Sequence, residues 1–470
     1  MLKSKKCSAR SYLLFSILLF MLLSIQNYTL SSDKSNSEDN TIYENSHNLT
    51  PHLNGQWDLN FIHINNNWTE TNTTHEWCKG KGTKDEPFII ENITIDYKSP
   101  IGILIENSRQ YFLIKKCNIS KTEIGISVIN TTNGILDSNN ITDLKGKSGP
   151  IAPNGTRGVE GNMSMGIFIK NSTYLTVSSN YIYNISSGQG GDGGPGNIGA
   201  ILYHGGDGGN GGIASGIYIQ DSQNITSSFN TICKINSGNG GNGGKGGGKD
   251  TFPIAHGNGG DGGNSGFSSG LIISNSKNIT NDHNEILDVS TGNGGNGGES
   301  PEIWLINRGL GGNGGNSSSA ALIFNNYSNG NIFRNNSISD ISIGVGGSGG
   351  IGNPNGQPGI EGNYCGFLFY KSNYSLSYLN NIYLTPNYDN GSHNWWDNGT
   401  IGNYWFDYIG YDYDYDNIGD PPYLLNGTAN SKDNFPIYDG SSTPLSINSL
   451  SKGIHAHNWT WAVEKPWCRG

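Results

Sequence analysis

Charged side chains are scarce in this chain. Of its 470 residues only 14% are Asp, Glu, Lys or Arg, and 38 acidic against 28 basic residues give a formal net charge of -10. Nucleic-acid binding needs a surplus of Lys and Arg to neutralise phosphates, so the sequence indicates no nucleic-acid partner. A hydrophobic content of 34%, arranged periodically, excludes a disordered acidic chain.

Sulfur-containing residues are also few. The chain has 4 Met and 6 Cys without a Cys-x-x-Cys pair, so no zinc site is indicated. The cysteines are widely spaced, and Cys78 with Cys468 is one conceivable link between the two ends. Copper binding calls for His, Met or Cys ligands, and the one local copper-like pattern is His455-Ala-His457.

Long apolar runs are missing except near the amino terminus. Basic residues within 3–10 precede an apolar stretch at 13–23, which suits a secretory signal better than a membrane-spanning helix of about 20 residues. We expect a signal peptide at 1–28 and a secreted, extracellular or cell-surface protein. An uncleaved anchor is the alternative, because no A-x-A cleavage motif is present, and it would be the chain's one contact with a membrane.

N-x-Ser/Thr triplets recur along the chain, and in a secreted protein they are candidate glycosylation sites. A composition rich in Asn and Thr also generates such triplets by chance. The candidates are Asn92, Asn118, Asn140, Asn171, Asn224, Asn278, Asn326 and Asn426.

What the sequence does have is a repeat, in which a small residue is followed by alternating apolar residues. This period of two predicts a strand whose apolar positions face inward. In the sixth repeat the inward residues are expected to be Leu322 and Phe324. The seven small residues are Gly102, Gly125, Gly166, Gly216, Gly270, Ala321 and Gly366.

Two further columns accompany the small residues. An Asn, replaced by Cys117 in the first repeat, is followed two residues later by an Ile, and such registered isoleucines indicate stacked equivalent coils. Asn suits a repeated corner because it tolerates a left-handed backbone, and its amides can hydrogen-bond along a stack. The Asn column is Asn139, Asn180, Asn230, Asn284, Asn336 and Asn380. The Ile column is Ile119, Ile141, Ile182, Ile232, Ile286, Ile338 and Ile382.

The repeat length predicts the fold. The shortest repeat runs from Gly102 to Gly125, about one coil of a three-sided parallel β-helix, and the longer repeats carry insertions before the next small residue. We therefore predict an all-β fold: a parallel β-helix solenoid of about seven or more coils, with glycine-rich insertions at one corner. A leucine-rich-repeat solenoid is the rival, but its leucine spacing is absent.

The insertions contain many of the 71 Gly, in G-G-X triplets arranged as out-and-back pairs. Three residues per turn is the period of a polyproline II helix, so the pairs predict a polyglycine II helix bundle beside the β-helix. Disordered loops are the alternative, because ordering Gly is entropically costly. Phosphate-binding glycine loops are excluded, since no G-x-G-x-x-G match follows a strand and opens a helix.

Segments at both ends of the repeat carry a family resemblance. The opening "GKGTKDEPFIIENITID" at 80–96 and the closing "NWWDNGTIGNYWFDYIGYDYDYDNIGDPPYLLNGTANSKDNFPIYDG" at 394–440 resemble secreted archaeal-type right-handed β-helix proteins of the NosD-like type. The resemblance covers roughly 76–440. It implies the pectin-lyase-like fold, and copper handling as a family function.

The resemblance and the composition together divide the chain. We expect a signal peptide at 1–28, a polar linker and amino-terminal cap at 29–75, the β-helix at 76–390, an aromatic and acidic cap at 391–440, and a tail at 441–470.

The carboxy-terminal cap contains two candidate sites. Aromatic side chains at Trp395, Trp396, Tyr404 and Trp405 form either a sugar-stacking platform or a hydrophobic lid over the last coil. Alternating carboxylates at Asp412, Asp414, Asp416 and Asp420 suit a structural Ca²⁺, which takes oxygen ligands, or a solvated acidic turn.

Functional hypotheses follow from these features. A column of Asp143, Asp288 and Asp340 is interrupted by Asn184 and Lys234, which is weak support for catalysis. We expect a secreted, glycosylated, non-enzymatic protein acting in adhesion, envelope structure or glycan binding, with extracellular glycans or other surface proteins as partners. The alternatives are a polysaccharide lyase or glycosidase, and a copper-processing accessory protein.

Overall fold

The computed structural model describes residues 57–197, 204–249, 255–302, 308–384 and 386–439. The predicted signal peptide and tail lie outside these residues, as do Cys468, His455 and His457. The described residues form a right-handed parallel β-helix with three walls, and its one helix is Trp68–Thr74. No helix in this part of the chain is long and apolar enough to cross a membrane.

Each wall is a sheet whose strands stack in chain order, one per coil, and pair in parallel. The first wall contains Ile62–Asn65, Ile101–Glu106, Ile124–Ile129, Ser164–Lys170, Ala214–Gln220, Ser268–Ser274, Ala320–Asn326, Tyr364–Asn373 and Tyr388–Ser392. The second contains Cys78–Lys79, which is antiparallel to its neighbour, and Phe88–Glu91, Phe112–Lys115, Gly134–Asp137, Thr173–Ser178, Gln223–Ser228, Lys277–Asp282, Ile332–Arg334 and Leu376–Tyr378. The third contains Trp57–Asp58, Ile93–Asp96, Asn118–Ser120, Asn140–Lys145, Tyr181–Ser186, Thr231–Asn236, Glu285–Ser290, Ser337–Ser342, Asn381–Ile382 and Tyr404–Trp405. Antiparallel pairs outside the walls join Gly248–Lys249 to Ala255–His256 and Tyr423–Leu424 to Lys432–Asp433.

The predicted isoleucine column is confirmed, and it explains the glycines. Each Ile pairs in register with the next, as Ile182 does with Ile232, and all seven are buried. A Cβ on Gly216 would lie 2.2 Å from Cγ2 of Ile232 across the core. Gly on the first wall therefore makes room for the β-branched Ile of the third wall.

The register predicted for the sixth repeat is wrong by one residue. Ala321 pairs with Ser269 and Ile323 pairs with Leu271, so Leu322 takes the place of the column glycine. The residues in register with the inward Leu271 and Ile273 are therefore Ile323 and Asn325 rather than Leu322 and Phe324, and Leu322 at the glycine position is also buried in the core. Periodicity could not decide this, because both alternations are apolar at this point in the sequence.

The asparagine column forms the predicted amide ladder inside the corner between the second and third walls. Nδ2 of Asn180 donates to Oδ1 of Asn230, and Nδ2 of Asn230 donates to Oδ1 of Asn284, each at 2.9 Å. The left-handed backbone predicted at these Asn residues is instead found one residue earlier, as at Ser179 and Phe229, where φ is 56°. That offset turns the Asn side chain into the core, where it satisfies buried backbone groups.

A second ladder, which the sequence analysis missed, lies in the corner between the first and second walls. The backbone N–H of Ser172 donates to Oγ of Ser222 at 3.0 Å, and the pattern repeats from Ser222 to Ser276. Both ladders connect each coil to the next through a side-chain acceptor, so they fix the coils in one register.

The glycine tracts form the predicted bundle at a single corner. Each of five insertions sends out an arm and brings one back, and the arms form two layers of extended, hydrogen-bonded chains. The outgoing arms occupy 146–154, 187–197, 237–247, 291–302 and 343–354. The return arms occupy 155–163, 204–213, 256–267, 308–319 and 355–363.

Inside the bundle, glycine is required by the backbones that surround it. Gly241 donates its N–H to the Gly209 carbonyl in the other layer at 2.8 Å. A Cβ on Gly241 would lie 2.1 Å from the carbonyl oxygen of Gly191 in the adjacent arm. That atom is backbone and cannot rotate away, so even Ala does not fit.

The X residue of each G-G-X triplet faces outward, and its identity has a structural cause. Where the preceding coil has Asn or Asp at the same position, the backbone N–H of the X residue donates to the Oδ1 of that side chain. Oδ1 of Asn242 accepts the N–H of Asn296, and Oδ1 of Asn296 accepts the N–H of Ser348, each at 3.0 Å. Asn and Asp are short side chains with an acceptor at this reach, which explains their recurrence.

Prolines mark the edges of the bundle. Pro150 and Pro153 lie in the first outgoing arm. At the same positions, later outgoing arms have residues that donate a backbone N–H to the preceding return arm. No such arm precedes the first one, so the missing N–H of Pro costs no hydrogen bond. Pro358 in the last return arm likewise stands where earlier return arms donate to a following coil.

We predict that Gly241→Ala lowers the free energy of unfolding by about 1–3 kcal/mol, because the added Cβ overlaps a fixed carbonyl. Asn242→Ala, the matched outward substitution, is expected to cost less than about 1 kcal/mol, because water replaces the lost acceptor. Thermal or denaturant unfolding of the full chain measures both. Equal effects of the two substitutions would contradict the packing described here.

Candidate functional site

A polar groove runs along the corner between the first and second walls. Its volume is about 400 Å³, and its floor lies over the serine ladder. One side is a column of residues with left-handed backbones, Asn171, Asp221, Asn275 and Tyr327, at φ values of 47° to 50°. The other side is Thr173, Gln223, Lys277 and Asn329. Amides, hydroxyls, a single carboxylate and the Lys277 ammonium group therefore line a groove about 14 Å long at about 4.8 Å per coil.

The groove is partly organised by its own contacts. Nδ2 of Asn275 donates to Oδ1 of Asp221 at 2.6 Å. At the carboxy-terminal end, Nζ of Lys371 donates to the Tyr327 hydroxyl at 3.0 Å and lies 5.1 Å from its ring centroid. These contacts hold the polar atoms in place at the protein surface, which lowers the entropy cost of binding a ligand.

An aromatic cluster begins one coil beyond the groove, because Asn373, which precedes Tyr374, bridges to Asn329 of the groove lining. Tyr374 stacks on His393 with ring centroids 5.1 Å apart, and Trp395 lies 6.4 Å from Tyr374. Tyr374 is 56% exposed and Trp395 is 52% exposed. Among the four aromatic cap residues proposed from sequence, Trp395 is thus the one placed at an open surface beside the groove.

The other aromatic residues of the cap are placed differently. Trp396 and Trp405 are buried, at 0% and 2% exposure, and Tyr404 is half-buried. Trp396 packs on Phe369 with centroids 4.7 Å apart, closing the last coil. The hydrophobic-lid interpretation therefore describes Trp396 and Trp405. At the amino-terminal end Trp68 is buried and stacks on Phe88 at 5.2 Å.

Two buried carboxylates, which sequence analysis missed, hold the lid. Asp389 accepts Nε1–H of Trp396 at 3.0 Å, and Asp433 accepts Nε1–H of Trp405 at 2.8 Å. Asp433 also accepts the N–H groups of Asn403 and Phe435. Burial raises the pKa of Asp433 to about 6, and these donors oppose part of that rise.

The acidic turn brings together three of its four predicted calcium ligands. Carboxylate oxygens of Asp412, Asp414 and Asp420 lie within 4.8 Å of one another, whereas Asp416 instead accepts the N–H of Ile418. Asp412 already accepts backbone N–H groups of Tyr415 and Asn417. The oxygen donors fit a hard cation, but three side chains fall short of six to eight ligands, so calcium stays a prediction.

The interrupted acidic column lies on the third wall, away from the groove. Lys234, Asp288 and Asp340 follow one another in successive coils, all with left-handed backbones. Burial raises the pKa of Asp288, the Asp340 carboxylate raises it further, and Lys234 opposes the rise. The Asp288 and Asp340 carboxylates therefore interact electrostatically across adjacent coils.

The glycosylation candidates divide by exposure. Asn326 is 3% exposed and donates Nδ2–H to Ser274, so its amide is inaccessible in the folded chain. Asn224 is half-buried, and the remaining six candidates are exposed. Asn118 and Asn140 also show why the triplet recurs, because each is an outward residue before an inward Ile and an outward Ser or Thr. Glycosylation stays a prediction.

The predicted sulfur and histidine sites are not assembled in the described residues. Cys78, Cys117, Cys233 and Cys365 are all buried and unlinked there. Burial raises the pKa of the Cys78, Cys117 and Cys365 thiols to about 12, so these side chains are protonated. The pairing of Cys78 with Cys468 and the copper pattern fall on the undescribed tail.

We predict that lowering the pH from 7 to 4 stabilises the cap through Asp433. Its pKa in the folded state lies above the ordinary 3.8, so the folded chain takes up the proton first, and the group's contribution rises by about 2–3 kcal/mol. Asp433→Asn should remove this part of the pH dependence, as measured by tryptophan fluorescence during unfolding. Asp85→Asn, at an exposed site, is the control, and an unchanged pH profile for Asp433→Asn would refute the prediction.

Comparison with known proteins finds solved structures to which this chain is similar. No family model and no curated protein matches the chain. One similar solved structure is the nine-helix polyproline II bundle antifreeze protein of the springtail Granisotoma rainieri, with 19% identity, 47% of this chain and 93% of that chain covered, and a TM-score of 0.15. Another is an alginate lyase from Paenibacillus sp. str. FPU-7, with 10% identity, coverages of 60% and 85%, and a TM-score of 0.19. A third is the tailspike of Escherichia coli bacteriophage HK620 in complex with a hexasaccharide, with 11% identity, coverages of 73% and 65%, and a TM-score of 0.15.

Proposed function

We propose that this protein is a secreted, non-enzymatic glycan-binding protein and that the corner groove is its binding site. The observation that carries the proposal is that the exposed Tyr374, His393 and Trp395 follow the groove in the next two coils. A polar groove supplies hydrogen bonds to sugar hydroxyls, and exposed aromatic rings supply flat apolar surfaces for sugar rings. Adhesion to a glycan-coated surface is the role that such a site supports.

The composition of the groove favours binding over bond cleavage. Glycoside hydrolysis needs two carboxyl groups placed on either side of the scissile bond. Asp221 is the one carboxylate lining the groove, and it is engaged by the Asn275 amide. The lining therefore offers hydrogen-bond donors and acceptors without the acid pair of a glycosidase.

The groove can be tested with the full chain on a glycan array, followed by calorimetry with the tightest oligosaccharide. We expect Gln223→Ala and Trp395→Ala each to weaken binding about tenfold, which corresponds to about 1.4 kcal/mol. Asn184→Ala, an outward amide on the third wall, is the matched control and should bind as the parent does. Absence of any bound glycan, or equal affinity in all variants, would reject the groove.

A carbohydrate-active enzyme is the second candidate, and it is favoured by Asp288 and Asp340 rather than by the groove. If this pair is catalytic, the protein should cleave a polysaccharide and so create new chain ends. Asp288→Asn should abolish this cleavage. Activity that survives Asp288→Asn would exclude the pair. Copper processing, implied by the NosD-like resemblance, stays a prediction that metal analysis of the secreted chain can test.

A further inference from the structure

Many outward residues of the bundle are Asn followed by Gly, a sequence with its own chemistry. The Gly nitrogen can attack Cγ of the Asn side chain, forming a succinimide ring as the new C–N bond closes and ammonia leaves. Water then opens the ring to Asp or isoaspartate. Gly permits the reaction because it lacks a Cβ that would obstruct the approach.

In the bundle, both reacting groups are held by the next coil. Gly243 donates its N–H to the Asn296 carbonyl at 2.8 Å, while Oδ1 of the preceding Asn242 accepts the Asn296 N–H at 3.0 Å. Attack would require both hydrogen bonds to break and the side chain to turn back along its own arm. The neighbouring coil therefore holds nucleophile and electrophile apart.

With the exception of Asn154–Gly155, where Pro195 of the next coil has no N–H to donate, the same pair of bonds recurs at each Asn–Gly of the bundle that has a following coil. The Gly N–H donates to the carbonyl of the next arm, and the Asn Oδ1 accepts the N–H of the same neighbouring residue. The seven Asn residues are Asn210, Asn239, Asn242, Asn258, Asn293, Asn296 and Asn313.

Asn426–Gly427, in the carboxy-terminal cap, has neither bond. The Asn426 side chain is exposed. Its side-chain amide and the backbone N–H of Gly427 have no hydrogen-bond partner among the described residues. Gly427 has a φ of +119°. Other cap pairs differ, because Gly391 and Gly399 donate to aspartate side chains.

We propose that the bundle protects these seven Asn–Gly pairs from succinimide formation and that Asn426 is a site of spontaneous modification in the folded chain. Isoaspartate adds a methylene to the backbone, so its formation in an unfolded arm breaks the triplet period. Unfolding of the bundle would thus leave isoaspartate in the chain as a lasting covalent change. Asn426 is also a glycosylation candidate, and glycosylation and succinimide formation would compete for the same side-chain amide.

The proposal is tested by incubating the full chain in H₂¹⁸O at mildly alkaline pH, folded and in guanidinium, followed by peptide mass mapping. In the folded chain we expect labelled Asp and isoaspartate at Asn426, with the seven bundle sites at least about tenfold slower than in guanidinium. Equal rates at the bundle sites in both conditions would overturn the proposal. So would a folded-state rate at Asn426 no higher than at the bundle sites.

A matched pair of variants tests the Oδ1 bond itself. Val345→Pro removes the N–H that Asn293 accepts at 3.0 Å, while Val345→Ala keeps it. Pro is compatible with an outward position, because Pro195 occupies one in the second outgoing arm. We expect modification at Asn293 to rise about tenfold in Val345→Pro, by the loss of one hydrogen bond, and to be unchanged in Val345→Ala. No rise in the Pro variant, or an equal rise in both, overturns the role given to this bond.

Discussion

The hydrogen bond between one coil and the next is the interaction on which the whole structure depends. In the walls it joins parallel strands, in two corners it joins Asn and Ser side chains to backbone, and in the insertions it joins extended glycine arms. All these bonds act across the same spacing of about 4.8 Å, so each element supports the register of the others. An arm that slipped by one residue would lose its own bonds and would place side chains where only Gly fits.

This constraint explains the composition more fully than hydrophobic burial does. A conventional core lies within the three walls, and Ile and Gly alternate across it because one makes room for the other. The bundle has no such core, and its interior consists of backbone packed on backbone. Its outward Asn and Asp satisfy neighbouring N–H groups, and Pro150, Pro153 and Pro358 lie where a donor would have no acceptor. Low charge and abundant glycine and amide side chains follow from these requirements.

Most of the periodic structure was predictable from sequence, although the serine ladder was missed, and the non-periodic parts were not predictable. The Ile column, the glycine column and the bundle follow from repeats of two and three residues. The shift at Leu322 was not predictable, because Ile323 and Leu322 are equally apolar. Nor was the groove, since Gln223 and Asn275 belong to a sequence in which similar polar residues occur everywhere. Tyr374 meets Trp395 only because successive coils bring distant segments together, and Asp433 was not recognised because an isolated acidic residue gives no sign of burial.

The central claim is that the glycine tracts are ordered by bonds between coils, which amide hydrogen exchange of the full chain tests most directly. The account predicts that the N–H groups of Gly241, Gly243 and Gly263 exchange as slowly as those of the wall strands beside them. Solvent-exposed N–H groups without a partner provide the internal reference for fast exchange. Exchange of the three glycines at random-coil rates, with the walls still protected, would contradict the account.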